Sequence, residues 1–161
     1  VPGDLYVRGA ATFLDYYKDE GKFRDASRGE WLTVGDIAYR DEEGFYYICD
    51  RRTDMIISGG MNIYPAEIEA VLTAHPAVAD AAVFGVPSDE WGESVHAAVV
   101  LRPGAEVADA ELTAFCREHL ASYKTPRGFD RIAEIPRNPS GKTLKRRLRD
   151  PYWENRDTKI G

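Results

Sequence analysis

Lys142 stands between Gly141 and Thr143 in the run IPRNPSGKTLKRRLR (135–149), with Pro139 and Ser140 before it and Lys145, Arg146, Arg147 and Arg149 after it. Four chemistries could use such a lysine: a phosphate loop, a nucleic-acid patch, a solvated helix face, or a catalytic cation on a mobile arm. The phosphate loop fails on spacing. G-x-x-x-x-G-K-[ST] needs a glycine at position 136, where Pro136 stands. What remains is a lysine just ahead of an expected helix, in a Pro/Ser/Gly segment able to move. A helix N-terminus offers unpaired N–H groups and a positive dipole end, so a phosphate or carboxylate partner is physically reasonable. On composition alone, a solvated basic face is favoured.

Other residues carry weaker chemistry. Gly59 and Gly60 follow an expected strand, where paired glycines permit close approach by a ligand or simply a tight turn into the next helix. Asp36 follows Gly35 at a strand edge and could accept hydrogen bonds from a diol such as a ribose, although a turn-forming aspartate is commoner. Arg51 and Arg52 suit phosphate or serve as linker charges. His75, His96 and His119 have no metal-ligand spacing with one another or with the cysteines, so no metal site is expected.

The elements that must position these residues differ between the two ends of the chain. Residues 1–50 read as short strands and turns: a strand at 4–9 and a hairpin over 36–50 around Asp41-Glu42-Glu43-Gly44. Such a unit can scarcely bury a core alone and is expected to lie against something else. From about residue 54 the pattern is a strand running into the Gly-Gly loop, then a helix opened by Pro65 with Ile68, Val71 and Leu72 on one face. Apolar strands follow at 78–87 and 94–104, and a helix over 109–123 with Leu112, Phe115, Cys116 and Leu120 as its stripe. A strand at 129–136 and a short basic helix at 143–149, ended by Asp150-Pro151, complete a compact α+β domain with a short mixed sheet flanked by helices.

Composition agrees with a globular chain: 161 residues, 43% hydrophobic and 30% charged. No apolar run is long enough to span a membrane. The start, VPGDLYVRG, lacks an initiator Met and the charged and apolar regions of a signal peptide; it reads as mid-chain sequence, and a piece of a longer protein is expected. Cys49 and Cys116 are expected to be free core thiols in a reducing cytoplasm. A net charge of −6 weighs against general nucleic-acid binding. The charge is uneven, because six of the 15 basic residues after residue 50 fall within 137–149.

In order, GDLYVRG (3–9), WLTVGD (31–36), EEGFYYICDRRTDMIISGGMNIYPAEIE (42–69), HPAVADAAVFGVPSDEWGESVHAAVVL (75–101) and NPSGKTLKRRLR (138–149) resemble the closing third of the adenylate-forming, AMP-binding enzymes. That family includes acyl- and aryl-CoA synthetases, peptide-synthetase adenylation domains and luciferases. The resemblance implies that residues 1–50 are the β-rich end of a large N-terminal domain, that 54–161 form a mobile C-terminal domain, and that the hinge lies at about 51–54. It implies activation of a carboxylic acid by ATP with Mg2+ to an acyl-adenylate, then thioester formation with CoA.

By the family pattern, Asp36 would hold the ribose hydroxyls with Arg51 assisting, and Thr53 would be the hinge. Gly59 and Gly60 would line the pantetheine passage, and Lys142 would bridge the substrate carboxylate and the α-phosphate during adenylation. Lys145, Arg146, Arg147 and Arg149 keep the solvated-face reading. Val34 stands where the family usually has Thr, Thr53 where Asp or Lys is commoner, and Met61 where many CoA synthetases have Glu. The implied partners are the missing N-terminal domain, ATP, the acid and CoA, in a cytoplasmic protein, with homodimer contact through the exposed β-rich part. The phosphate-binding loop and acyl pocket lie outside this sequence, so the piece alone is expected to be inactive. An adenylation domain that loads a carrier protein is the nearest alternative. A nucleic-acid module built on 137–149 is the other, disfavoured by the net charge and by the absence of aromatics between Asp130 and Asp150.

Overall fold

The structure, a computed structural model, describes residues 1–10, 12 and 18–154. The chain divides into two compact units, Val1–Thr53 and Asp54–Gly161.

The first unit is an antiparallel sheet built on one long strand. β1 (Gly3–Val7), α1 (Glu20–Ala26), β2 (Ser27–Arg28), β3 (Trp31–Arg40) and β4 (Tyr46–Arg51) follow in order, and β3 pairs with each of the other three strands. The expected hairpin is present: Tyr39 faces Tyr47 and Arg40 faces Tyr46. Its turn is held by Asp41, whose Oδ1 accepts the Phe45 N–H at 2.8 Å. Reading this part as strands and turns alone misses α1, a short helix capped by Asp19, whose side chain accepts the Lys22 N–H. Among the described residues of this unit only Leu32, Ile37 and Ala38 are buried, whereas Phe45, Tyr46 and Ile48 are each more than 60% exposed. The unit therefore has little core of its own, as its size dictates.

The second unit contains β5 (Ile56–Ser58), β6 (Met61–Ile63), α2 (Pro65–Ala74), β7 (Val78–Ser88), β8 (Gly92–Leu101), α3 (Asp109–His119), a 3-10 turn at Ser122–Lys124, β9 (Gly128–Arg131) and α4 (Lys145–Trp153). β8 is the hub of a mixed sheet. It runs antiparallel to β7 along nearly its whole length, parallel to β9, and meets β5 at Ser58↔Gly92. Both faces of this sheet are covered, which explains why its strands read as apolar runs and not as alternations. On one face Val83, Val95, Ala97 and Val99 pack with Ile68 and Leu72 of α2 and Leu112 and Cys116 of α3. On the other, Ala82, Phe84 and Ala98 pack with Ile135 and with Leu148 of α4.

Four details depart from the sequence reading. The residues after Gly60 form a strand, β6, so the Gly-Gly loop is a hairpin turn. The strand expected over 129–136 ends at Arg131: Gly128–Arg131 pair with β8, the Ile132 N–H makes a last bond to the Val99 carbonyl, and Ile135 is buried from the following loop. α3 ends at His119 and is followed by the 3-10 turn. α4 does not stop at Asp150-Pro151 but continues to Trp153. Its end is anchored on the sheet: Trp153 is 6% exposed and its Nε1 donates to the Gly85 carbonyl at 3.1 Å. The Tyr152 hydroxyl donates to Asp130 Oδ2 at 2.6 Å, and burial, with that bond and the Asp130 charge, pushes its pKa up to about 12. Those contacts outweigh the amide hydrogen bond that Pro151 cannot make.

Cys116 is buried, and burial pushes its thiol up to about 11. Cys49 is only half-buried, which corrects its expected core position. No helix among the described residues is long and apolar enough to cross a membrane.

Candidate functional site

Lys142 lies on a loop closed by an isolated bridge between Arg137 and Thr143. Inside the loop, Asn138 Oδ1 accepts from the Ser140 N–H (3.0 Å), the Ser140 hydroxyl (2.8 Å) and the Lys142 N–H (2.8 Å). The Asn138 N–H donates to the Lys142 carbonyl and the Gly141 N–H to the Asn138 carbonyl, both at 2.9 Å. An Asn side chain that accepts from amides a few residues on is a common way for a short loop to satisfy its donors. Gly141 takes φ +82°, a conformation glycine adopts without strain.

Arg137 braces the loop from outside. Its Nη1 donates to the Gly141 carbonyl at 3.2 Å and to Thr143 Oγ1 at 2.9 Å, and its Nη2 to Asp80 Oδ2 on β7 at 2.8 Å. The segment, expected to be loose from its Pro/Ser/Gly content, is thus tied to itself and to the sheet. What it presents is Lys142, exposed, with no hydrogen-bond or ion-pair partner for its ammonium among the described residues. The basic residues after it are not one solvated face. Arg146 is 78% exposed and pairs with Asp150, but Lys145 is 12% exposed, its Nζ 2.8 Å from Glu69 Oε1. Position alone did not betray this, since Glu69 lies far away in sequence.

Gly59 and Gly60 form the two-residue turn between β5 and β6, at φ +56° and +79°. A type I′ two-residue turn, whose twist matches that of the strands, takes positive φ at both positions, so turn geometry by itself accounts for the pair. Gly59 has a further reason. Its N–H donates to the Trp91 carbonyl at 2.8 Å, and a Cβ there would stand 2.8 Å from the Trp91 ring. The hairpin is also held from below by Glu93, whose carboxylate accepts the Ile57 N–H at 2.7 Å. Burial raises the pKa of Glu93, against the opposing effects of that N–H and of Arg149.

From Gly59 the contacts lead to a pocket that sequence reasoning missed. The Arg127 guanidinium lies 5.2 Å over the Trp91 ring. Arg127 then lines an open cavity of about 410 Å3 with Thr113, Arg117, Ser122, Thr125 and Pro126. Thr125 is 6% exposed and its Oγ1 is buried without a hydrogen-bond partner among the described residues. Two guanidiniums and an unsatisfied hydroxyl are donors suited to an anionic oxygen group. The residues come from α3, the 3-10 turn and the approach to β9, and such a scatter forms no motif.

In the first unit the strand register brings Asp36 and Arg51 together. They are direct partners across β3 and β4, with Arg51 Nε 3.7 Å from Asp36 Oδ1. The Asp36 side chain is 20% exposed. Val34 points no hydroxyl here, and the Thr33 hydroxyl is engaged locally by the Gly35 N–H at 3.1 Å. Thr53 is exposed and is the last residue of the first unit. Met61, at the end of the Gly-Gly turn, is 47% exposed. Among the described residues no group of three His, Cys, Asp or Glu side chains is placed to hold a metal ion.

The second unit is thus a mixed sheet covered on both faces that presents an exposed lysine on a braced loop, an α+β domain whose family is given by comparison with known proteins. Residues 67–142 match the AMP-binding enzyme C-terminal domain. The chain is 47% identical over 148 residues to a 2-succinylbenzoate–CoA ligase of Bacillus velezensis, covering 92% of this chain and 30% of that protein. It superposes with a TM-score of 0.86 and 44% identity on o-succinylbenzoate CoA synthetase of Bacillus subtilis in complex with an acyl-adenylate intermediate, covering 92% of this chain and 30% of that one. It superposes equally, with a TM-score of 0.86 and 38% identity, on an amide bond synthetase of Marinactinospora thermotolerans, covering 94% of this chain and 31% of that one. The chain belongs to the adenylate-forming, AMP-binding enzymes and carries their C-terminal portion. It spans about 30% of the length of the curated relatives it matches.

Proposed function

We propose that the whole protein is an ATP-dependent acid–thiol ligase that activates an aromatic carboxylic acid as its acyl-adenylate and transfers the acyl group to CoA. The observation that carries this reading is Lys142: an exposed ammonium, without a partner among the described residues, presented by a hydrogen-bonded loop in a chain of this family. Adenylation brings a carboxylate to the α-phosphate of ATP, two anions that repel. A cation held between them offsets that repulsion and the charge that grows on the phosphate oxygens, with its position set before the reaction begins. Lys142 is the residue we assign to this role.

Asp36 we assign to the ribose hydroxyls. Its carboxylate offers acceptor oxygens to a vicinal diol, and Arg51 fixes its orientation. Thr53 we place at the hinge about which the second unit turns between the half-reactions, so that withdrawal of Lys142 makes room for CoA. ATP enters with its Mg2+ as the metal complex of the substrate. The exposed edge at Phe45, Tyr46 and Ile48 is where we place the rest of the N-terminal domain.

The CoA acceptor is supported by the contacts that run from the Gly59-Gly60 turn through Trp91 and Arg127 to the cationic pocket. A pantetheine arm passing a glycine turn with a phosphate-bearing end seated against Arg117 and Arg127 needs this combination of features. The amide bond synthetase has the same fold in a protein named for forming amides, so an amine is the acceptor to assay beside CoA. The naming of its relatives makes 2-succinylbenzoate the first acid to try.

The test uses the full-length enzyme. Lys142→Ala is expected to lower acyl-adenylate formation, read by ATP–pyrophosphate exchange, by about a hundredfold or more, as expected for loss of one preorganised charge at a reacting phosphate. Thioester formation from supplied acyl-adenylate is expected to stay close to wild type. Equal loss in both half-reactions would overturn the assignment.

A further inference from the structure

Two side chains brace the Lys142 loop, and they do different things. Asn138 fixes the shape of the loop, but every atom it binds belongs to the loop itself, so it does not set where the loop points. Arg137 does. Its guanidinium holds the carbonyl of Gly141 and the hydroxyl of Thr143, the two residues flanking Lys142, and with its other nitrogen holds Asp80. Asp80 stands on β7, the strand that pairs along β8 through the centre of the sheet, and its Oδ1 accepts the Ala81 N–H at 2.9 Å, which fixes the carboxylate on the strand. One planar group thus links a rigid strand to both neighbours of the lysine.

We propose that Arg137 is the positioning residue for Lys142 in the adenylation half-reaction, with Asp80 as the anchor that aims it. This rests on the assignment of Lys142 given above. Only a forked guanidinium suits this role, because its donors diverge in one plane and reach three acceptors at once, which the single ammonium of a lysine cannot do in fixed directions. The Arg137–Asp80 pair is no core element, since its side chains are 43% and 35% exposed. Exposed pairs contribute little to folding. The effect of removing it should therefore appear in catalysis and not in stability, because displacing a catalytic group by about 1 Å can cost about a hundredfold in rate.

The experiment compares Arg137→Ala, Arg137→Lys, Asp80→Asn, Lys142→Ala and the double variant Arg137→Ala/Lys142→Ala in the full-length enzyme. It measures kcat and KM for ATP in adenylation, thioester formation from supplied acyl-adenylate, and the denaturation midpoint. Arg137→Ala and Asp80→Asn are expected to lower adenylation kcat by about ten- to a hundredfold, with KM for ATP, the thioester step and the midpoint near wild type. Arg137→Lys is expected to fail as a rescue, and Arg137→Ala to add nothing in the Lys142→Ala background, as for residues that act as a unit.

If Lys142→Ala cripples adenylation while Arg137→Ala and Asp80→Asn leave it near wild type, the inference is overturned and the Lys142 assignment stands. Full additivity in the double variant also overturns it, since Arg137 would then act independently of Lys142. If Lys142→Ala leaves adenylation intact, the Lys142 assignment fails and the inference fails with it. Should Arg137→Ala lower the midpoint, Asp80→Asn, which keeps the shape of its side chain, carries the same test.

Discussion

Lys145 and Glu69 meet at 2.8 Å, Nζ to Oε1, with only 12% and 22% of their side chains exposed. The same Glu69 oxygen accepts the Val83 N–H at 2.7 Å, so one carboxylate joins the first residue of α4 to α2 and to the middle of β7. This fastens the helix that follows the Lys142 loop, just as Arg137 fastens the loop before it. Lys142 is the exposed cation between two tethered ones.

Removing one partner of a half-buried pair strands the other, and the two directions are unequal here. Glu69→Ala leaves both the Lys145 ammonium and the Val83 amide without an acceptor, and is expected to cost about 2–4 kcal/mol. Lys145→Met strands only a carboxylate that still accepts the Val83 amide, and is expected to cost less, about 1–2 kcal/mol. Chemical denaturation of the two variants checks the order; a costlier Lys145→Met would contradict it.

The Gly59-Gly60 turn separates backbone strain from crowding. Gly60→Ala meets no atom within 4 Å and suffers only its φ of +79°, a penalty of about 1–2 kcal/mol. Gly59→Ala carries the same kind of backbone penalty at φ +56° and also drives a methyl to 2.8 Å from the Trp91 ring. The ring must move, and Arg127 with it. Gly59→Ala is therefore expected to impair the thioester step of the full-length enzyme more than adenylation, whereas Gly60→Ala mainly lowers stability. Half-reaction assays beside denaturation curves decide this; identical profiles for the two variants would refute it.

Much of this architecture was legible in the sequence because its signals are local. Pro65 opening α2, the apolar stripe of α3 and the Asp41–Gly44 hairpin each depend on neighbours a few residues apart, and each is present. What escaped depends on distant partners. α4 runs through Pro151 because Trp153 and Tyr152 find Gly85 and Asp130 on the sheet. Lys145 looked solvated because Glu69 is on another helix, and the pocket lined by Arg117, Thr125 and Arg127 exists only once α3 and β9 have packed. Lys142, Asp36 and the glycine pair could be singled out, but the devices that hold them, Arg137–Asp80 and Trp91, could not.

The cationic pocket gives a prediction for the second substrate. Arg127→Ala removes a guanidinium from the cavity and its stack on Trp91, and Arg117→Ala removes the other charge. A hydrogen bond to a charged group is worth about 1.5–3 kcal/mol, so each variant is expected to raise KM for CoA by about ten- to a hundredfold. Adenylation is expected to be unaffected, since no adenylation residue assigned above lines the cavity. Unchanged KM for CoA in both variants would remove the pocket from the acceptor path.

Glu93 provides a pH test of how the hairpin is held. It is 5% exposed, and burial lifts its pKa above the ordinary 4.5 although the Ile57 N–H and Arg149 pull the other way. A raised folded pKa means that the native state binds this proton more tightly than the unfolded chain. The stabilisation is complete below the unfolded value and is lost as pH rises through the folded one. Glu93→Gln has no such proton but keeps an oxygen for the Ile57 amide. The difference in unfolding free energy between wild type and Glu93→Gln is therefore expected to shift in favour of wild type as pH falls from neutral to below 4.5. Above the folded pKa the difference should be constant. Denaturation of both proteins across that range measures it, and a shift of the opposite sign would show that the ionised carboxylate, held by Ile57 and Arg149, is the form the fold prefers.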